Sequence, residues 1–300
     1  MDSDPPFQQA YKTLIDKTIE KIKTTTTTTS ITPKINKDNN NELVNMVEEC
    51  ELPLIDLSRL HFGDEVEREE CKAEIARASQ EWGFFQVVNH GISCEILEEM
   101  RFEQERVFKQ PFDKKIKEDK YLNFSAGTYR WGTPTATCLK QLAWSEAFHI
   151  PLLDISNSDA FDSLSSTIGQ FATTVSSLAQ NLAEILAEKM GHTSTFFQEN
   201  CLPSTCYLRM NRYPPCPIPS EAWSNDVYKS VEHRVVTNPL VERFSTAYFL
   251  CPSYDTVIQS CRQPSVYRKF SFREFRQQVQ EDVKKLGSKI GLPRFLIQNQ

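Results

Sequence analysis

The chain has 300 residues and a mass of 34.6 kDa, with 39% hydrophobic and 25% charged residues. This is the composition of a soluble globular protein. The net charge of −6 argues against nucleic acid or a membrane surface as a partner, because phosphate binding requires a basic excess. No apolar run could cross a bilayer, and the first residues resemble neither a signal nor a transit peptide. The nine cysteines include no CxxC pair, so reduced thiols and a cytoplasmic location are expected.

Residues 1–50 are predicted to form a disordered, low-complexity leader with short helices. A run of six threonines, Thr24–Thr29, is followed by a segment rich in Lys and Asn. Before it, Tyr11, Leu14 and Ile15 recur at helical spacing. Glu51–Leu57 then has the alternation of a strand.

The middle of the chain is predicted to be mainly helical. A helix is expected over Arg68–Trp82, closed by Gly83, and a buried strand over Phe84–Val88. Ser93 can cap the next helix. The remaining elements are a strand over Trp144–Ile150, a long helix over Leu164–Met190, three strand-like pieces, and a C-terminal helix over Phe272–Leu286. The strand-like pieces are Cys206–Tyr213, Val227–Val236 and Arg243–Leu250. The predicted class is α+β, with helices first and most strands late.

Polar side chains share one face of two of these strands. Period-two alternation puts Asn211 with Tyr213 in the first strand, and Arg243 with Ser245 in the last. An Arg facing the same side as small residues requires an anion, and a carboxylate suits its planar fork. A salt bridge on an edge strand is the alternative. His233, between apolar neighbours, is either a core histidine or a metal ligand.

The order of these residues resembles the plant 2-oxoglutarate- and Fe(II)-dependent dioxygenases. The resemblance is carried by NRYPPC (Asn211–Cys216), then His233, then RFS (Arg243–Ser245), and earlier by LPLIDL (Leu52–Leu57) and WGFFQVVNHGI (Trp82–Ile92). It implies a double-stranded β-helix, or jelly-roll, core and the cofactors Fe(II) and 2-oxoglutarate, with ascorbate as reductant. It also implies that His233 is an iron ligand and that Asn211, Tyr213, Arg243 and Ser245 form the 2-oxoglutarate site.

Three further segments are similar to gibberellin 2-oxidases, in particular to the group that acts on twenty-carbon gibberellins. They are TYRWGTPTAT (Thr128–Thr137), WSEAFHIP (Trp144–Pro151) and the tail from Tyr267 to Leu296. The resemblance implies hydroxylation and inactivation of a gibberellin or its precursor, a small-molecule substrate, with no nucleic-acid or membrane partner. It leaves the oligomeric state open.

One part of the family pattern is missing. The family supplies a His and a carboxylate as H-x-D between the NRYPPC segment and the second His, but none of the five histidines has an acid two residues later. Only 16 residues separate Cys216 from His233, too few for the strands of a complete barrel. No Gly occurs between Gly191 and Gly287, so the tight turns of those strands are missing too. An omitted segment between Ser220 and Glu221 explains this pattern.

Two of three iron ligands are therefore absent, and no catalytic residue is assigned. Substitution by Asp226, Glu232 or Glu242 is disfavoured. The functional alternatives are a gibberellin 2-oxidase, an inactive splice or deletion product that binds weakly at most, and another plant dioxygenase subfamily. The predicted organisation is the leader 1–50, an N-terminal helical region 51–200, and a partial barrel with the C-terminal helix, 201–300.

Overall fold

A computed structural model describes most of the chain outside the leader. The described residues are 3–17, 20, 51–116, 129–133, 136, 143–156, 163–192, 195–202, 204–215, 240–260, 264–286 and 289–297. The predicted strand Val227–Val236, and with it His233, lies outside them.

The beginning of the predicted leader packs onto the rest of the protein. Helix α1 spans Phe7–Ala10, and residues 12–17 are also helical. Phe7 and Tyr11 are buried, and the Phe7 ring stacks on Trp144 with 4.9 Å between ring centroids. Residues 3–17 thus belong to the folded unit, whereas residues 21–50 lie outside the described part of the chain.

A small parallel pair of strands and two helices follow. Strand β1 (Leu54–Asp56) pairs with β2 (Gln86–Val88), and between them lie α2 (Arg59–Phe62) and α3 (Glu65–Glu81). Asp64 begins α3 with a reciprocal capping box to Glu67. The prediction that β2 is buried is wrong, because its burial is only partial and Val88 is 38% exposed.

Two long helices form the layer that supports the main sheet. Helix α4 spans Cys94–Phe108, and Ser93 caps it by accepting a hydrogen bond from the Ile96 amide, as predicted. The short α5 (Phe112–Ile116) follows. The predicted long helix is α7, Ser163–Lys189, after the short α6 (Leu152–Ser156). It ends before Gly191, whose φ of 82° favours glycine.

The main sheet has four antiparallel strands among the described residues. Their order in the sheet is β3 (Tyr129–Trp131), β4 (Glu146–Pro151), β5 (Tyr207–Tyr213) and β6 (Arg243–Phe249). Helix α8 (Phe196–Asn200) precedes β5. The sheet therefore crosses the boundary that the sequence places at residue 200.

One face of this sheet and helices α4 and α7 enclose the main core. Alternate residues of each strand point into this core. Among them, Phe148, Leu208 and Met210 are at most 3% exposed. Phe244 and Tyr248 of β6 pack against the same cluster. The period-two assignment of these strands is therefore confirmed on the apolar side.

The C-terminal part forms a second small unit. Strands β7 (Val257–Ile258) and β8 (Phe270–Ser271) pair, and α9 (Phe272–Leu286) follows, as predicted. A 3₁₀ turn, Leu292–Phe295, closes it with Phe295 almost fully buried. The chain is thus α+β, and no described helix is long and apolar enough to span a bilayer.

Candidate functional site

The four residues predicted to hold 2-oxoglutarate come together at one end of β5 and β6. Tyr213 lies opposite Arg243 in the strand register, and Asn211 lies opposite Ser245. All four point away from the apolar core, to the face of the sheet that we call the open face. Sequence alternation thus placed them on the correct side.

Arg243 and Tyr213 form the outer pair of this group. The Arg243 guanidinium carbon lies 5.4 Å from the centroid of the Tyr213 ring. Arg243 is exposed, and within the part of the chain that the structure describes it forms no ion pair. Its neighbour Glu242 is engaged instead by Arg212. The salt-bridge alternative therefore has no described carboxylate to support it, and the guanidinium fork can receive an anion.

Asn211 and Ser245 form the inner pair. The Asn211 amide donates to the Ser245 Oγ at 3.3 Å, so the hydroxyl proton of Ser245 is free to point at a ligand. The Asn211 side-chain oxygen accepts from Arg209 Nε at 2.9 Å. Asn211 is 8% exposed and thus acts mainly by orienting Ser245.

Gln104 of α4 supports this pair from the core side. Its side-chain amide donates to the backbone oxygens of Asn211 at 3.1 Å and of Ser245 at 2.8 Å. Its oxygen accepts from the Thr246 hydroxyl at 3.2 Å. No sequence pattern indicates this role, because a Gln inside an amphipathic helix is most often a surface residue.

The open face continues as a basic surface. On it, Arg209 lies opposite His149 in the strand register, and Arg130 lies opposite Ala147 on the other side of β4. Arg276 of α9 lies near enough to act on the same histidine. Burial, together with these three guanidinium groups, lowers the pKa of His149. An anionic ligand would be stabilised here. Period-two reading of β4 could have found His149, which pairs with Arg209.

A buried ionic network lies on the core side at the same end of the sheet. Arg212 donates to Glu146 at 2.7 Å and to Glu242 at 2.6 Å. Glu146 also accepts from Lys115 at 2.6 Å. Because Glu242 is held by Arg212, it is not available as a substitute iron ligand. Asp226 and Glu232 lie outside the described residues.

The residues present do not fit a complete iron site. Within the described ranges, no three His, Cys, Asp or Glu side chains gather as a metal would require. The sequence itself contains no H-x-D, and His149, the histidine of the open face, is surrounded by arginines. The role of His233 as an iron ligand stays a prediction, because this residue lies outside the described part of the chain.

Comparison with known proteins decides the family. Residues 52–170 match the family model described as the non-haem dioxygenase in morphine synthesis N-terminal region. Gibberellin 2-beta-dioxygenase 8 of Arabidopsis thaliana is 52% identical, and the match covers 98% of each chain. The chain belongs to the gibberellin 2-beta-dioxygenases. Gibberellin 2-beta-dioxygenase 6 of Oryza sativa subsp. japonica, another member, is 42% identical over 82% of this chain and 85% of its own.

Solved structures confirm the jelly-roll fold of this gibberellin 2-beta-dioxygenase family member. The dioxygenase for auxin oxidation of rice matches 82% of this chain and 100% of its own, with a TM-score of 0.60 and 21% identity. JOX2, solved in complex with 2OG, Fe and JA, matches 82% of this chain and 89% of its own, with a TM-score of 0.59 and 21% identity. At this identity the likeness concerns the fold.

The match to the Arabidopsis relative also bears on the missing segment. It extends over 351 positions, at least 51 more than the 300 residues of this chain can occupy. The relative therefore has residues with no counterpart here. This agrees with an omitted segment, whereas its position between Ser220 and Glu221 stays a prediction.

Proposed function

We propose that this chain is a gibberellin 2-oxidase-type protein that keeps the 2-oxoglutarate site and lacks the means of turnover. Tyr213, Arg243 and Ser245 would hold the distal carboxylate of 2-oxoglutarate, with Asn211 orienting the serine. The exposed Arg243 guanidinium beside Tyr213, without a described acidic partner, is the observation that carries this proposal. An arginine fork and two hydroxyl donors suit a carboxylate.

In the intact family member, the reaction would be hydroxylation and inactivation of a gibberellin, converting 2-oxoglutarate and O2 to succinate and CO2. The names of the relatives and their identities of 41–52% support this substrate class. The basic open face around Arg130, His149 and Arg209 adds support, because gibberellins are carboxylic acids and a carboxylate is stabilised among cations. Ascorbate as reductant and a cytoplasmic location are further parts of the proposal.

Iron would supply the activation of O2 in that reaction. In the present chain only His233 occupies a ligand position of the family pattern, and its two partners are missing from the sequence. One ligand does not define a coordination geometry for Fe(II). We therefore propose that the chain binds 2-oxoglutarate weakly and releases no succinate. This is the second alternative, an inactive splice or deletion product of the gene.

The third alternative, another dioxygenase subfamily, receives less support. The 1-aminocyclopropane-1-carboxylate oxidase 1 of rice is 25% identical, and the 2'-deoxymugineic-acid 2'-dioxygenase of Hordeum vulgare is 27% identical. Both values are about half of the 52% identity to the Arabidopsis gibberellin 2-beta-dioxygenase 8.

Calorimetric titration with 2-oxoglutarate tests the proposed site. Arg243→Leu should raise the dissociation constant at least about tenfold, the effect of losing one charge-assisted contact. Arg130→Leu is the matched control, because it removes the same charge from the same face two strands from β5. It should leave the dissociation constant within about twofold. Equal affinities of the two variants would place the carboxylate elsewhere.

A further inference from the structure

We infer that Asp4 and the segment around it position the Tyr213–Arg243 pair, acting through Arg212 on the core side of the sheet. The inference rests on the proposed 2-oxoglutarate site. It assigns a positioning role to a part of the chain that the sequence predicts to be a disordered, low-complexity leader with short helices.

Arg212 joins the two strand ends that carry the pair. It directly precedes Tyr213 in β5, and its Nε donates to Glu242 at 2.6 Å. Glu242 directly precedes Arg243 of β6. The Arg212 side chain, only 7% exposed, therefore links β5 to the residue that precedes β6, beside the ladder pair of Tyr213 and Arg243.

Asp4 completes the set of partners of this guanidinium. The Nη2 atom lies 2.8 Å from the Asp4 Oδ1, and the Nη1 atom lies 2.7 Å from the Glu146 Oε1. Hydrogen bonds to Glu146 and Glu242 hold two nitrogens of this planar group, and the ion pair with Asp4 engages the third. These carboxylates outweigh the opposing effect of burial and raise the pKa of Arg212.

The segment is itself anchored on both sides of Asp4. Lys115 donates to the backbone oxygen of Ser3 at 2.7 Å, and the same ammonium binds Glu146. Tyr11, 1% exposed, donates to the backbone oxygen of Ala143 at 2.9 Å. These contacts therefore hold the backbone on both sides of Asp4, and so favour the contact between its carboxylate and Arg212.

A second route leads from the segment to the end of β5. The Phe7 ring stacks on Trp144, whose indole donates to the backbone oxygen of Pro215 at 3.0 Å. Pro215 lies two residues after Tyr213. Strand ends fray more readily than strand centres, so contacts on either side of Tyr213 determine how well it is ordered.

Asp4→Asn tests the inference, because it keeps the shape of the side chain and removes its charge. Asp4→Glu is the conservative variant that should restore the contact. Asp16→Asn makes the same charge change at an exposed position of the same segment and is the control. Two quantities are measured on the full chain: amide hydrogen exchange by peptide, and the dissociation constant for 2-oxoglutarate.

In Asp4→Asn we expect exchange to accelerate at least about fivefold in peptides covering 210–215 and 242–246, while α4 keeps its protection. The dissociation constant for 2-oxoglutarate should rise by about the same factor. Asp4→Glu should recover most of both effects, and Asp16→Asn should behave as the unmodified chain.

Unchanged exchange at both strand ends in Asp4→Asn would overturn the inference. So would an acceleration that extends equally to α4, because it would indicate a general loss of stability rather than local positioning. If the unmodified chain does not bind 2-oxoglutarate, the proposed function is wrong. The exchange pattern still decides whether Asp4 orders the ends of β5 and β6.

Discussion

The two faces of the four-stranded sheet differ in how completely other described parts of the protein cover them. On the core face, Phe148, Leu208 and Met210 are buried against α4 and α7. The open face carries Arg243, Tyr213 and the basic residues around His149, and much of it is exposed.

This difference indicates which face of the sheet the predicted omission of a segment after Cys216 affects. The helices that cover the core face are encoded elsewhere in the chain and are present. In a jelly roll, a second sheet covers the other face, and it must come in part from the strands that the sequence lacks. The chain therefore keeps the core face of the sheet with its covering helices, whereas the site on the open face is incomplete.

The largest contrast is expected between two phenylalanines on opposite faces. Phe148→Ala removes a 3% exposed side chain and should lower the free energy of unfolding by about 4 kcal/mol. Phe249, 38% exposed, stacks only on Tyr207 among the described aromatic rings, so Phe249→Ala should lower it by about 1 kcal/mol. Urea denaturation of both variants measures the difference. Equal losses would show that the open face is packed as tightly as the core.

A smaller but still large effect is expected in the buried ionic network. Glu146→Gln leaves Lys115 and Arg212 without their shared carboxylate, so the free energy of unfolding should fall by about 3 kcal/mol. Glu105→Gln, which breaks an exposed pair with Lys109, should cause no measurable change. The same urea assay measures both variants. Equal free energies of unfolding would show that the buried network does not stabilise the protein.

Ligand should stabilise the protein through the open face alone. At ten times its dissociation constant, 2-oxoglutarate should add about 1.4 kcal/mol to the free energy of unfolding. Dimethyl 2-oxoglutarate, which lacks the carboxylates, should add nothing. Arg243→Leu, with a dissociation constant at least about tenfold higher, should reduce this gain to about 0.4 kcal/mol or less at the same ligand concentration, as thermal denaturation with and without ligand would show. Stabilisation by the dimethyl ester would argue against carboxylate recognition.

The smallest effect concerns the pH dependence contributed by His149. Its pKa in the folded protein is lower than the ordinary value of 6.5, because burial and three nearby arginines oppose protonation. Below that ordinary value the unfolded chain binds the proton more readily, so stability is lost as the pH falls. His149→Phe keeps the ring beside Tyr207 and removes this loss. The fall in melting temperature from about pH 7.5 to about pH 5.5 should therefore be smaller in the variant.

The sequence was sufficient for the long elements because their signals are local. The α7 helix repeats apolar residues over its whole length and ends before Gly191, whose positive φ marks the stop. The positions of Asn211, Tyr213, Arg243 and Ser245 followed from strand alternation once the resemblance identified their order.

Contacts between distant parts of the chain could not be predicted in this way. Asp4 contacts Arg212 because burial of Phe7 and Tyr11 against Trp144 brings this segment to the sheet. Nothing in the spacing of Asp4 indicates that contact. Likewise, Gln104 looks like a surface residue until its hydrogen bonds to both strands are known. Such long-range polar contacts depend on the finished packing, which local periodicity does not contain.

An anaerobic titration of the chain with Fe(II) in the presence of 2-oxoglutarate tests the central claim, a kept co-substrate site without a working iron site. We expect no metal-to-ligand charge-transfer band, since the sequence contains only His233 of the three iron ligands of the family pattern, and an affinity for 2-oxoglutarate that Fe(II) does not change. A chain with the missing segment restored serves as the positive control and should show the band. A band from the 300-residue chain, lost on His233→Ala, would contradict the claim and show that other residues complete the site.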